Sequence, residues 1–229
     1  MHSLKQTIVC ALESNDLDAV VSLVKSNRRA LAALVRISYD KETLAAWRAI
    51  KSVGLAAKEI VRTDEEFLRE AVRKLLWSLS DESGGIGWSA PELLGEIVSS
   101  DPKRFSDVIP LIAQVFEVEE EVFRPGVVYA LARIAETNPE QVAVYQEIVA
   151  LSLADKDPLL KIYGLQLVER LWQTAIRGNM WSLEYRKKVM YLIKVATENK
   201  EVAYIYKNNG FVSHEVGETA CLMAEKINF

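Results

Sequence analysis

Apolar residues recur along most of the chain at the spacing of one helix face, three and four residues apart, in segments separated by polar breaks. Leu4 to Leu12 reads as a short amphipathic helix, and Asn15-Asp16 supplies a break and an N-cap for a second helix from Leu17 to Val24. Leu31, Leu34, Val35 and Ile37 mark a third helix ending near Tyr39-Asp40, and a long fourth helix follows to about Val61. Thr63 and Glu66 stand as a capping box ahead of Phe67, Val72, Leu75, Leu76 and Leu79; Ser89-Ala90-Pro91-Glu92 repeats the arrangement one helix later. The segment Glu198–Val216 breaks this texture. There, Val202-Ala203-Tyr204-Ile205-Tyr206 and Phe211-Val212-Ser213-His214-Glu215-Val216 flank Lys207-Asn208-Asn209-Gly210. Tyrosine and β-branched residues on both sides of a turn containing Asn-Gly predict a β-hairpin, and Glu218 to Lys226 predicts a closing helix.

The helices themselves recur as pairs. Trp47-Arg48-Ala49-Ile50, Trp88-Ser89-Ala90-Pro91, Arg124-Pro125-Gly126-Val127 and Lys161-Ile162-Tyr163-Gly164 open successive second helices at offsets of 41, 36 and 37 residues. Such spacings point to an all-α protein: an α-α superhelix of the HEAT-like or armadillo type with about four helix pairs, each burying its apolar face only against its neighbours. One domain over residues 1–229 is expected, with a helical cap at 1–27, repeats at 28–172, and a helix, hairpin and capping helix at 173–229. A two-stranded ribbon is marginal alone, so this hairpin is expected to pack on the last helices.

Charge changes the picture in one respect. Residues 1–80 carry 13 basic and 10 acidic side chains, residues 81–160 carry 5 and 15, and residues 161–229 carry 10 and 7. An acidic middle argues against a continuous phosphate-binding groove and fits a protein partner with a basic surface. The plainer reading makes Glu117–Glu121 a solvated helix start or loop. No apolar run reaches the length of a membrane span, and Met1–Gln6 lacks the features of a secretory leader. Cys10 and Cys221 lie among apolar neighbours and read as two buried thiols, which fits a reducing cytoplasm.

Little in the chain carries chemistry. Ser83-Gly84-Gly85-Ile86-Gly87 is the one glycine-rich loop before a helix, but it follows a helix and lacks the Lys-Ser or Lys-Thr of a nucleotide-binding loop. It reads as a connector or a recognition element. With His2 and His214 as the only histidines, neither a catalytic triad nor a two-iron hydroxylase site can be assembled, so no metal, cofactor or catalytic residue is expected. Glu92 and Glu96 fall four apart on one helix face, a spacing open to acid/base work but commoner for solvated or arginine-paired carboxylates. Trp88 reads either as a staple packing on Leu93 or as an aromatic anchor on the concave face, and Arg124 either as an interface residue or as a partner of Glu92 or Glu96.

The stretches Tyr39-Asp40, Trp47–Ile50, Leu75-Leu76-Trp77 and Glu82–Glu92, with the ending Tyr206–Gly210 and Val216–Ala220, resemble bacterial and archaeal HEAT-repeat proteins described as having a phycobilisome-lyase HEAT-like repeat. The resemblance covers roughly residues 28 to 225 and implies a fold without an assigned activity. A weaker resemblance is to HEAT-like alkylpurine DNA glycosylases, from which the acidic middle and the hairpin depart. The expected function is a non-enzymatic protein-binding or assembly scaffold, recognising its partner on a concave face through Trp47, Arg48, Glu82, Trp88, Glu92, Arg124 and Lys161. The glycosylase is the alternative, with Trp88 or Trp47 against the lesion and Glu92 as catalyst.

Overall fold

The computed structural model describes residues 3–79, 88–118 and 121–227. Among these, thirteen α-helices and one β-hairpin form a HEAT-like α-α superhelix. In chain order the helices are α1 (Leu4–Glu13), α2 (Leu17–Ser26), α3 (Arg29–Ile37), α4 (Leu44–Ile60), α5 (Glu65–Ser78), α6 (Ala90–Val98), α7 (Ile109–Val118), α8 (Arg124–Ala135), α9 (Pro139–Ala143), α10 (Gln146–Ala154), α11 (Pro158–Arg177) and α12 (Leu183–Ala196). Strands β1 (Val202–Lys207) and β2 (Gly210–Glu215) and helix α13 (Val216–Lys226) complete the chain. Helices α2, α4, α6, α8, α11 and α13 pack side by side as a continuous inner row.

The inner row runs parallel. Glu92, Gly95 and Glu96 of α6 meet Gly126, Ala130 and Arg133 of α8 in the same order, and Arg124 and Glu136 reach Asp155 and Arg170 in the same sense. Helices α6 and α8 approach closely: a Cβ on Gly95 would lie 2.5 Å from the Ala130 Cα. Helix α6 is the centre of the stack, with all nine of its residues buried. A helix covered on every side normally carries only apolar residues, so two glutamates in this one require compensation.

Most predicted boundaries stand, with local corrections. Asp16 caps α2 through the Ala19 N–H, as expected, and Asn15 takes a left-handed φ of 58° at the break. The cap of α5 is Asp64 rather than Thr63, because the Asp64 carboxylate accepts from the Phe67 N–H while the Thr63 hydroxyl turns back to the Ile60 carbonyl. The second predicted capping box is absent: the Ser89 hydroxyl bonds Ser38 Oγ at 2.6 Å and Glu92 is drawn to Lys41. Cys10 and Cys221 are exposed, not buried, since α1 buries only its Ile8 and Leu12 side and Cys221 points away from Ala220 and Met223.

The hairpin has the predicted turn. Asn208 and Asn209 both hold positive φ, 52° and 65°, in the two-residue connection between Lys207 and Gly210. Such a turn suits asparagine and twists with the strands it joins. Ala203 and Ile205 are buried, β1 packs on α11, and β2 leads into α13. No helix among the described residues is long and apolar enough to cross a membrane.

Candidate functional site

The inner row places a file of aromatic rings across its middle. Trp47 of α4 meets Tyr129 of α8 edge-on at 5.4 Å, and Tyr129 meets Tyr163 of α11 at 5.6 Å. Tyr206, near the hairpin tip, stacks on Trp47 at 5.9 Å with the planes only 6° apart. The hairpin therefore crosses the inner face from α11 to α4. Arg48 holds its tip there: Nη2 donates to the Asn209 carbonyl at 3.4 Å while Nη1 donates to the carbonyls of Leu12 and Glu13 at the end of α1. An open, preformed groove along the whole concave face is thus not what the chain builds, because the rings of Trp47 and Tyr206 bury more apolar surface against each other than they would apart.

Beneath the hairpin, Glu96 anchors an ionic cluster. Its Oε1 accepts from Lys51 Nζ at 2.7 Å, the Tyr129 hydroxyl at 2.5 Å and Arg133 Nε at 2.9 Å, and its Oε2 accepts from Arg133 Nη2 at 3.2 Å. Gly54 makes room for that carboxylate; any side chain there would run into Oε2. Burial alone would push the Glu96 carboxyl up, but the Lys51 ammonium and Arg133 guanidinium outweigh it and hold the group below its ordinary value. Burial likewise lowers the Lys51 ammonium, against the opposing pull of Glu96, and drives the Tyr129 phenol well above its ordinary value. The cluster is an ionised carboxylate held by two cations and a neutral phenol.

Glu92, one turn earlier, is built differently. Its Oε1 accepts from Lys41 Nζ at 2.7 Å, whereas its buried Oε2 has no hydrogen-bond partner among the described residues. The carboxylate lies against Gly126, where a Cβ would come within 2.7 Å of it, in the first turn of α8. The positive end of that helix stabilises a carboxylate so placed. Lys41 links this pair to the aromatic file, because its carbonyl accepts from Trp47 Nε1 at 2.9 Å.

The predicted site residues divide accordingly. Trp47 and Glu92 are interior, 6% and 2% exposed, and Arg48 is an internal tie. Glu82 and the Gly84–Gly87 loop lie outside the described residues. Trp88, 39% exposed, precedes α6; Arg124 opens α8; Lys161 sits in the first turn of α11. Because the inner helices are parallel, these last three share one edge. Arg124 does not pair with Glu92 or Glu96. Its Nε donates to the Phe116 carbonyl at 3.3 Å, its Nη1 reaches Glu121 at 3.1 Å and Asp155 at 4.0 Å, and its guanidinium lies over the Phe116 ring. Lys41, Lys51, Arg133, Tyr129 and Tyr206 were missed. Their roles depend on contacts 33 to 159 residues away in sequence, although the small residues Gly54 and Gly126, facing the two glutamates from neighbouring helices, were a legible sign of space reserved for something.

No family model and no curated protein matches the sequence. Among solved structures, an engineered protein is similar over 100% of this chain and 99% of its own, with a TM-score of 0.57 at 15% identity. The archaeal HEAT-like repeats protein from Thermococcus onnurineus NA1 is similar over 100% and 98%, with a TM-score of 0.40 at 13% identity. At 15% identity the first likeness is one of fold, and what it shares with this chain is the stacked helical architecture.

Proposed function

We propose that the protein is a non-enzymatic binding scaffold that docks a protein partner along the edge of its inner face where α6, α8 and α11 begin. The observation that carries this reading is the juxtaposition of an exposed tryptophan, Trp88, with two cations, Arg124 and Lys161, at the N-terminal ends of three parallel helices. Tryptophan and arginine are the side chains that most often anchor protein interfaces, and helix N-termini add partial positive charge. Arg124 is already oriented by Phe116 and Glu121, so little freedom is lost when it binds.

The acidic middle of the chain does not shape this edge in the way its composition suggests. Glu92 and Glu96 are buried, and Asp101, Asp107, Glu121 and Glu136 are each bonded to an arginine. Glu121 and Asp155 flank Arg124 and Asp157 caps α11, so a partner at this edge would meet mixed charge beside an exposed apolar side chain. A reducing compartment such as the cytoplasm would keep the exposed thiols of Cys10 and Cys221 free. For the glycosylase reading Trp88 is exposed, but Trp47 is covered by Tyr206 and the candidate catalyst Glu92 is buried and tied to Lys41.

The test is affinity capture from host extract with the wild type and a folded Trp88→Ala/Arg124→Ala variant, each followed by mass spectrometry. A protein retained by the wild type and lost from the variant supports the edge as the interface. Identical captures from the two forms would mean that this edge is not the protein interface.

A further inference from the structure

Between the hairpin tip and the inner helices lies a chamber of about 520 Å³, within the range of small-molecule sites. Its floor is the Glu96 cluster and its roof is Tyr206, Lys207, Asn208 and Asn209. Four cations line it, Lys51, Lys58, Arg133 and Lys207, against the single carboxylate of Glu96. That carboxylate does not neutralise the chamber. Lys51 and Arg133 both bond Glu96, and Glu136, on the far side of Arg133, is shared with Arg170 at 3.6 Å. In the floor Lys51 and Arg133 are matched by Glu96 and Glu136, so the excess positive charge is that of Lys58 and Lys207 at the rim.

Lys58 and Lys207 at the rim make no salt bridge among the described residues. Lys51 spends two of its three N–H groups, on Glu96 at 2.7 Å and on the Tyr129 hydroxyl at 2.6 Å, which leaves one for a ligand. Asn208 and Asn209 contribute exposed amides at the lip.

From this arrangement we infer that the chamber is a binding site for a small polyanion, a molecule carrying at least two carboxylate or phosphate groups, held between Lys51 on the floor and Lys58 and Lys207 at the rim. The inference is independent of the proposed protein interface, which lies at the N-terminal edge of the same helices. Burial already lowers the Lys51 ammonium, and an anion seated on it would restore its charge preference. A ligand bridging helix α4 and the hairpin tip would also add a second tie to the one Arg48 makes with Asn209, and so hold the hairpin down on the inner face.

Isothermal titration calorimetry at low ionic strength, with citrate and pyrophosphate as separate probes, tests the proposal and distinguishes carboxylate from phosphate chemistry. At least one probe is expected to bind, and Lys58→Gln/Lys207→Gln, which alters two exposed side chains, is expected to weaken it about tenfold, as the loss of two partly exposed ion pairs would. Lys51→Met should abolish binding in a protein that circular dichroism shows to be folded. In the wild type, amide chemical shifts of Asn208 and Asn209 should move with the probe and return when salt is raised. Absence of binding by both probes, or equal binding by the Lys58→Gln/Lys207→Gln variant, would overturn the proposal. Binding of a hexaglutamate peptide with neither small anion bound would also overturn it, and would assign the chamber to a protein ligand.

Discussion

Glu96→Gln is the substitution that most directly interrogates how the inner face is held together. Glutamine keeps the volume of the side chain but replaces a carboxylate that accepts four hydrogen bonds from Lys51, Tyr129 and Arg133. One amide oxygen cannot serve all those donors, and the amide nitrogen must face at least one of them. Breaking a fully buried ion pair by removing one partner costs about 3–5 kcal/mol. The Lys51 and Arg133 side chains keep 27% and 20% exposure, so water recovers part of that loss. A destabilisation of roughly 2–3 kcal/mol follows, equivalent to about 5–10 °C in Tm for a chain of this size. Urea melts followed by circular dichroism measure it, with constancy of the slope checking that unfolding stays cooperative. A cycle with Arg133→Met should reveal a coupling above about 1 kcal/mol. The pH dependence has a definite sign. Because the folded Glu96 carboxyl is held below its ordinary value, its contribution is complete above the unfolded value of about 4.3 and is lost as pH falls through the folded one. Wild type and variant should therefore converge in acid. A neutral-pH loss under about 0.5 kcal/mol, or strictly additive effects in the cycle, would refute the account of the cluster as a coupled unit.

Tyr206→Ala removes the ring stacked on Trp47 and should free the hairpin tip, raising amide exchange in Val202–Glu215 more than in α12; exchange that rises equally in both would mean the hairpin was not held by this contact. The exposed thiols of Cys10 and Cys221 should both react with Ellman's reagent in the native protein, and a reaction that waits for denaturant would contradict their placement.

The parts of this molecule that could be read from the sequence are those whose cause is local. A stripe of apolar residues at helical spacing must be covered, so the helices, their pairing and the hairpin follow from residues within a few turns of one another. The recurring second-helix openings show where local reading weakens. Trp47 is the fourth residue of α4, Trp88 stands two residues before α6, Arg124 is the first residue of α8, and Lys161 is the fourth of α11. The copies are therefore offset by more than one helical turn, and the lateral contacts run instead through Trp47, Tyr129 and Tyr163. Glu92 and Glu96 read as solvated or arginine-paired carboxylates, and Glu96 is paired with Arg133; their burial was not legible, because four-residue spacing says which face a residue occupies, not what covers that face. Helix α6 buries both only because α4 and α8 each present a glycine, a lysine or an arginine in step with them. The hairpin is the sharpest case. Its strands and turn were legible, but its position over Trp47 and Arg48 depends on a contact between the two ends of the chain, 161 residues apart at Arg48 and Asn209. The superhelix brings those ends within reach of one another across its inner face. Any ligand site under the hairpin is therefore a property of the curvature of the whole stack rather than of any one repeat, and substitutions that change that curvature should alter the chamber without touching its lining.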